Sequence, residues 1–257
     1  MKTVTSADGT TIAYDRLGDG PPVVVVGGAL ADRAVMAATA EALAANRAVL
    51  NYDRRGRGDS GDTAPYAVAR EVEDLAALIA VAGGSAALYG HSSGAALALH
   101  AAAAGLPIER LVMHEAPYGP EESAAETRAE AAQLAALLGA GRRGDAVARF
   151  LAMTGMPDVD TMRGEPWFAR MEASADTLLH DSLVMGDAEH GGTFPPALAA
   201  GVTMPVLVLS GGASPEWFLA TGQRIADALP DGRHEVLAGA DHVVPPDMLV
   251  PVLLRFL

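Results

Sequence analysis

Gly90-His91-Ser92-Ser93-Gly94 follows a short apolar strand, Ala86 to Tyr89, and opens a helix that runs to about Ala104. The pentapeptide fits the pattern G-x-S-x-G. A serine in a sharp strand-to-helix turn sits in strained backbone, and the main chain comes so close there that glycine is needed on both sides. Such a turn points the Ser92 hydroxyl away from the sheet. It also puts the Ser93 N–H at a helix start, where it can donate to a developing oxyanion. Five residues alone fit any glycine-bounded turn; the strand before and the helix after give the pattern its specificity.

Working outward, strands and helices alternate on both sides. Thr3 to Leu17 breaks at Asp8-Gly9, a hairpin signal between two strands. Val23 to Val26 is a β-branched run that reads as a strand buried on both faces of a parallel sheet. A helix over Ala31 to Ala45, a strand over Arg47 to Tyr52 and a helix from Pro65 to Val81 follow. Ile108 to His114 is the next strand. After residue 200 the pattern resumes with strand Met204 to Ser210, helix Pro215 to Leu229, strand Arg233 to Leu237 and a helix over Asp247 to Phe256 interrupted by Pro251.

Residues 117–200 are helical in pattern and contain no strand candidate. The reading is an α/β fold: one mostly parallel sheet with helices on both faces, built from residues 1–116 and 201–257, with 117–200 as an inserted helical cap. The insert is too alanine-rich to build a strong core alone, and both its ends return to the same sheet.

The chain has 257 residues, 32 acidic against 18 basic, and no cysteine. That length buries a substantial core. Without cysteine there are no disulfides, thiolate metal sites or cysteine nucleophiles. A net charge of −14 argues against a nucleic-acid partner, since a phosphate backbone needs concentrated positive charge. The N-terminus lacks the apolar stretch of a signal peptide, and no apolar run reaches membrane-spanning length, so a cytoplasmic protein is expected.

With these elements in place, the chain resembles the α/β-hydrolase superfamily over nearly its whole length. Val26-Gly27-Gly28-Ala29 looks like the family's oxyanion loop, although many relatives begin it with His-Gly. Asp53-Arg54-Arg55-Gly56-Arg57-Gly58-Asp59-Ser60 is similar to the loop after the next strand. Gly239-Ala240-Asp241-His242 looks like the loop that delivers the catalytic histidine. The resemblance implies Ser92 as nucleophile, His242 as general base, and the Ala29 and Ser93 N–H groups as oxyanion donors, with Gly28 permitting close approach. A serine hydroxyl needs such a base, and imidazole suits the task near neutral pH. His91 packs beside the nucleophile in the family pattern. His100, His114, His180, His190 and His234 are read as surface or core residues.

The third member is displaced. Relatives usually carry an aspartate shortly after the strand that follows the cap, but here that position holds Ser214. A serine cannot stabilise imidazolium as a carboxylate does. Glu115, at the end of the strand after the nucleophile helix, is the candidate acid. Some branches, notably many haloalkane dehalogenases, take their acid from this strand end. Glu216 is the alternative, and Asp241 adjoins His242 too closely to fold back onto its ring.

A serine elbow implies an acyl substrate, because serine attack on an alkyl carbon would leave a stable ether. The expectation is a serine hydrolase acting on a small carboxylic ester or lactone through an acyl-enzyme. The alternatives are a carbon–carbon bond hydrolase, perhydrolase or non-hydrolytic cyclase on the same fold, or a non-catalytic ligand-binding module. Trp167, Phe168, Met171, Met185 and Trp217 are candidate pocket residues. Gly56 to Gly61 also matches G-x-G-x-x-G, but Pro65 delays the following helix and the next strand ends at the serine elbow, so no dinucleotide is expected. No histidine–carboxylate cluster has metal-ligand spacing, so neither metal nor cofactor is expected.

Overall fold

In a computed structural model describing residues 1–257, the alternation forms one eight-stranded sheet. The N-terminal hairpin is β1 (Lys2–Thr5) and β2 (Thr11–Leu17), followed by β3 (Pro22–Val26), α1 (Ala37–Leu43), β4 (Ala48–Tyr52), α2 (Val68–Ala82), β5 (Ala86–His91), α3 (Ser93–Ala103) and β6 (Ile108–His114). Between β6 and the next strand lie α4 (Ala124–Gly139), α5 (Arg143–Met153), α6 (Pro166–Ala173), α7 (Leu178–Met185) and the single turns α8 (Asp187–His190) and α9 (Pro196–Ala199). The chain closes with β7 (Val206–Gly211), α10 (Glu216–Ala228), β8 (Gly232–Leu237) and α11 (Pro246–Phe256). The spatial order is β1-β2-β4-β3-β5-β6-β7-β8. Strand β2 is antiparallel to both neighbours, and every pair from β4 to β8 is parallel.

The valine run shows why this sheet needs helices on both faces. Val24 and Val26 pack with α2, α3 and α10, whereas Val23 and Val25 pack with α1 and α11. Side chains alternate across a strand, so a fully apolar strand must be covered twice. The helices between β6 and β7 gather a smaller apolar cluster of their own around Leu134, Leu138, Val147, Leu151, Phe168 and Leu178. It is completed by Leu30 from the loop after β3. No helix is long and apolar enough to cross a membrane.

Three local expectations are corrected. The first helix starts at Ala37 rather than Ala31. The Arg33 N–H donates to Asp53 Oδ1 (2.6 Å) and the Arg33 carbonyl accepts from Asn51 Nδ2 (2.7 Å), so side chains take backbone groups that a helix would need. Pro65 lies outside α2, whose N-cap is the extended Ala67. Pro251 sits inside a continuous α11 on its exposed side.

Helix α3 crosses the end of β3 at minimal distance. A Cβ built on Gly94 would strike the Val26 carbonyl oxygen and lie 2.5 Å from that of Gly27. Gly94→Ala should therefore destabilise the fold by about 2 kcal/mol or more, read as a lower urea midpoint at unchanged m-value. His114, only 1% exposed at the end of β6, shares a 2.9 Å hydrogen bond with Tyr89 Oη. Burial, with the nearby rings of His91 and His242, pushes its pKa well below the ordinary value. The unfolded chain then binds a proton that the folded protein refuses, so stability falls as pH drops below about 6.5. His114→Gln should flatten the stability loss between pH 7 and pH 5, removing up to about 1.4 kcal/mol per pH unit from its slope in paired urea titrations.

Candidate active site

Strand β5 ends at His91 and α3 begins at Ser93, leaving Ser92 alone at the bend with φ 57° and ψ −130°. A non-glycine residue in this region is strained and persists only where its surroundings hold it. The surroundings are tight. A Cβ on Gly90 would lie 2.6 Å from the Gly94 carbonyl oxygen, and one on Gly28 would lie 2.9 Å from Ser92 Cβ and 3.4 Å from Ser92 Oγ. Gly28 thus brings the loop after β3 directly against the Ser92 side chain. The N–H groups of Ala29 and Ser93 are engaged by no main-chain carbonyl.

One strand over, Glu115 follows the last residue of β6, also at positive φ (47°). Its N–H donates to the Leu209 carbonyl (3.0 Å) on β7, which aims the side chain along the same sheet edge. Glu115 Oε2 pairs with His242 Nδ1 at 2.6 Å, and Oε1 accepts the Gly211 N–H at 2.7 Å. The carboxylate is fully enclosed, whereas the His242 side chain is 38% exposed. Burial works against its charge, but hydrogen bonds from His242, Ser214 and Gly211 outweigh that and hold the carboxyl below the usual range. Ser214 thus faces the carboxylate from the position where relatives carry the acid, though its Oγ lies outside strict hydrogen-bond geometry. With Nδ1–H directed at a carboxylate, His242 Nε2 is left as an acceptor. No direct hydrogen bond joins it to Ser92 Oγ, and such bonds commonly tighten only when substrate is bound.

His91 has a role that the sequence did not signal. Its Nε2 donates to the His242 carbonyl (2.8 Å), and the two rings lie 4.6 Å apart. Burial, reinforced by His242, drives its pKa down to about 4, so it is a neutral donor that pins the loop after β8. Phe218 flanks the other side of His242 at 5.4 Å, and Trp217 stacks on Phe218 at 3.9 Å.

The candidate pocket residues separate. Trp217 lines a surface cavity of about 580 Å³ with Pro120, Glu122, Glu216 and Arg224. Glu216 is exposed on that cavity and makes no hydrogen bond to His242, so the geometry does not favour it as the acid. Trp167 and Met171 pack against the apolar cluster of the inserted helices, to which the buried Phe168 belongs, with the Trp167 and Phe168 rings 5.9 Å apart. Met185 is 6% exposed and belongs to the main core cluster, on α7 where that helix packs against α3.

The three arginines of the loop after β4 are all buried ions. Arg55 pairs with Asp74 and Asp8. Arg54 grips Glu71 through two 2.8 Å bonds, and Arg54 and Arg57 both reach Asp181 on α7. Burial opposes the charge on Glu71, but Arg54 overrides it and holds the carboxyl down at about 2.

This fold agrees with the comparisons. The model of the alpha/beta hydrolase family matches residues 23–250. The chain is similar to an alpha/beta hydrolase from Sphaerobacter thermophilus, 49% identical over 99% of both chains with a TM-score of 0.88. A hydrolase from Pseudomonas aeruginosa is 27% identical over 99% of this chain and 97% of its own, with a TM-score of 0.75. The enol-lactonase from Burkholderia xenovorans is 22% identical over 98% of each chain with a TM-score of 0.69, a likeness of fold alone. No curated protein matches the chain. A family model spanning most of the sequence and a half-identical relative along its full length show that the chain belongs to the alpha/beta hydrolase family, as a hydrolase.

Proposed function

We propose that the protein hydrolyses a small carbonyl substrate, a carboxylic ester or lactone, through an acyl-enzyme on Ser92. The observation that carries this reading is the enclosed Glu115 carboxylate hydrogen-bonded to His242 Nδ1, on the strand next to the Ser92 elbow. Such a pair holds the imidazole in the tautomer whose Nε2 can accept a proton, and stabilises the imidazolium that results.

In this reading Ser92 Oγ attacks the carbonyl carbon while His242 Nε2 takes its proton. The negative charge moves to the carbonyl oxygen, which the Ala29 and Ser93 N–H groups receive. Collapse of the tetrahedral species expels the alkoxide, protonated by His242. Water, deprotonated by the same imidazole, then attacks the acyl carbon and restores Ser92. Residues 117–200 act as the cap over this centre. Gly28 lies directly against Ser92, and Trp217 and Trp167 are the tryptophans we assign to the substrate side, supported by the place of Trp217 next to Phe218, which flanks His242, and by the packing of Trp167 on the cluster that also takes in Ala29. The likeness in fold to an enol-lactonase fits a small cyclic or open ester.

A fluorophosphonate probe should label the folded wild-type protein, and Ser92→Ala should abolish both labelling and turnover of 4-nitrophenyl acetate. An unlabelled wild type would overturn the proposal in favour of a binding protein. Glu115→Gln should lower kcat by about 10²- to 10⁴-fold, the range known for loss of a triad carboxylate. Glu216→Gln should stay within about twofold of wild type, because Glu216 is exposed and makes no hydrogen bond to His242. Loss confined to Glu216→Gln would reverse the assignment.

A further inference from the structure

The residue after the elbow carries a side chain whose hydroxyl is buried and doubly bonded. Ser93 Oγ donates to Asp181 Oδ1 at 2.8 Å across 88 residues of sequence, and accepts from Arg54 Nη1 at 3.2 Å. The same Arg54 Nη1 donates to Asp181 Oδ1 (2.8 Å) and reaches the Gly27 carbonyl (3.3 Å). One guanidinium nitrogen therefore touches both segments that hold the proposed oxyanion donors: Gly27, two residues before Ala29, and Ser93 itself. Asp181 closes the arrangement from α7, and Arg57 Nη2 secures its second oxygen at 2.7 Å. Arg54 is 1% and Arg57 0% exposed, Glu71 and Ser93 no more than 3%, and Asp181 5%. Two cations face two anions, so the cluster is charge-balanced out of water.

We propose that Arg54 and Asp181 are positioning residues for acyl transfer: together they clamp the loop after β3 to the first turn of α3 and so set the spacing of the two oxyanion donors. The inference rests on the acyl-enzyme reading above. Its physical basis is the strain at Ser92 and at Leu30, which both hold positive φ (57° and 56°) on either side of the hole. Two strained segments relax unless something joins them, and misplacing a donor by a fraction of an ångström weakens a bond made only to the developing oxyanion. Ordinary substrate binding does not use that bond. The clamp should therefore appear in kcat and not in KM. It also makes an inserted helix part of the catalytic geometry, since Asp181 belongs to α7.

The test compares Ser93→Ala, Asp181→Asn and the exposed control Asp176→Asn in the full chain. The readouts are kcat and KM for 4-nitrophenyl acetate, the inhibition constant of phenylboronic acid as an oxyanion mimic, and the melting temperature. Ser93→Ala removes one hydroxyl and leaves both ion pairs intact, so it keeps the inference testable even if Asp181→Asn does not fold. Expected is a kcat at least tenfold lower in Ser93→Ala and in folded Asp181→Asn, a KM within twofold, phenylboronate weakened in parallel with kcat, and Asp176→Asn like wild type. A Ser93→Ala enzyme with wild-type kcat and phenylboronate affinity overturns the clamp while leaving the acyl-enzyme reading intact. So does a rise in KM at unchanged kcat. A wild type that neither turns over the ester nor takes the fluorophosphonate overturns both.

Discussion

The passage of α3 over the carbonyl end of β3 leaves no room for a single methyl group at Gly94. That contact dictates much of the molecule. It forces the chain to turn within one residue after β5, which puts Ser92 at φ 57°. It brings Gly28 within van der Waals reach of the Ser92 side chain, so the loop after β3 and the start of α3 share one small space. It also lets one arginine from the neighbouring loop after β4 span both segments. A helix with a bulkier residue in its first turn would stand off from the sheet, and the elbow, the loop and the ionic cluster would separate together.

The pairing of Glu115 with His242 follows from sheet geometry in the same way. Strands β6 and β7 are neighbours in parallel register, so their carboxyl-terminal ends emerge side by side. A carboxylate from either end can reach one point beside the β8 loop. Here Glu115 reaches it from β6 and the Gly211 N–H on β7 holds its free oxygen. Ser214 occupies the space the usual acid would fill, small enough to leave that space to Glu115. The positive φ at Glu115 is part of the same solution, because it turns the longer side chain back over the sheet edge.

Much of this was readable from residue order. Four consecutive valines required a twice-covered strand, and a glycine-bounded serine between strand and helix required an elbow. Glu115 could be reached because Ser214 visibly cannot do a carboxylate's work. What the sequence hid were partnerships over long separations. Nothing local marks Asp181 as the partner of Arg54, Arg57 and Ser93, since all lie more than a hundred residues away or on another element. His91 hid for the same reason, its acceptor being a main-chain carbonyl 151 residues on. The first helix was read too long because the groups that interrupt it, Asn51 and Asp53, come from the following strand and loop.

The inserted helices are held to the sheet by two kinds of force of unequal strength. Helix α7 is joined through Asp181 to two buried guanidiniums, and through His180, stacked on Tyr66 at 3.8 Å, to the segment before α2. Separating one partner of a buried pair strands an uncompensated charge and costs about 3–5 kcal/mol. The outer helices α4 to α6 meet the loop after β3 through apolar packing around Leu30, while their exposed pairs, such as Arg143–Asp176 and Arg163–Asp145, join one inserted segment to another. Exposed pairs contribute about 0–1 kcal/mol each. The inserted helices are therefore joined to the sheet side by buried charge through α7 and by apolar packing through α4 to α6. That division matches the role proposed for Asp181: the helix that touches Ser93 is the one whose displacement would strand buried charge.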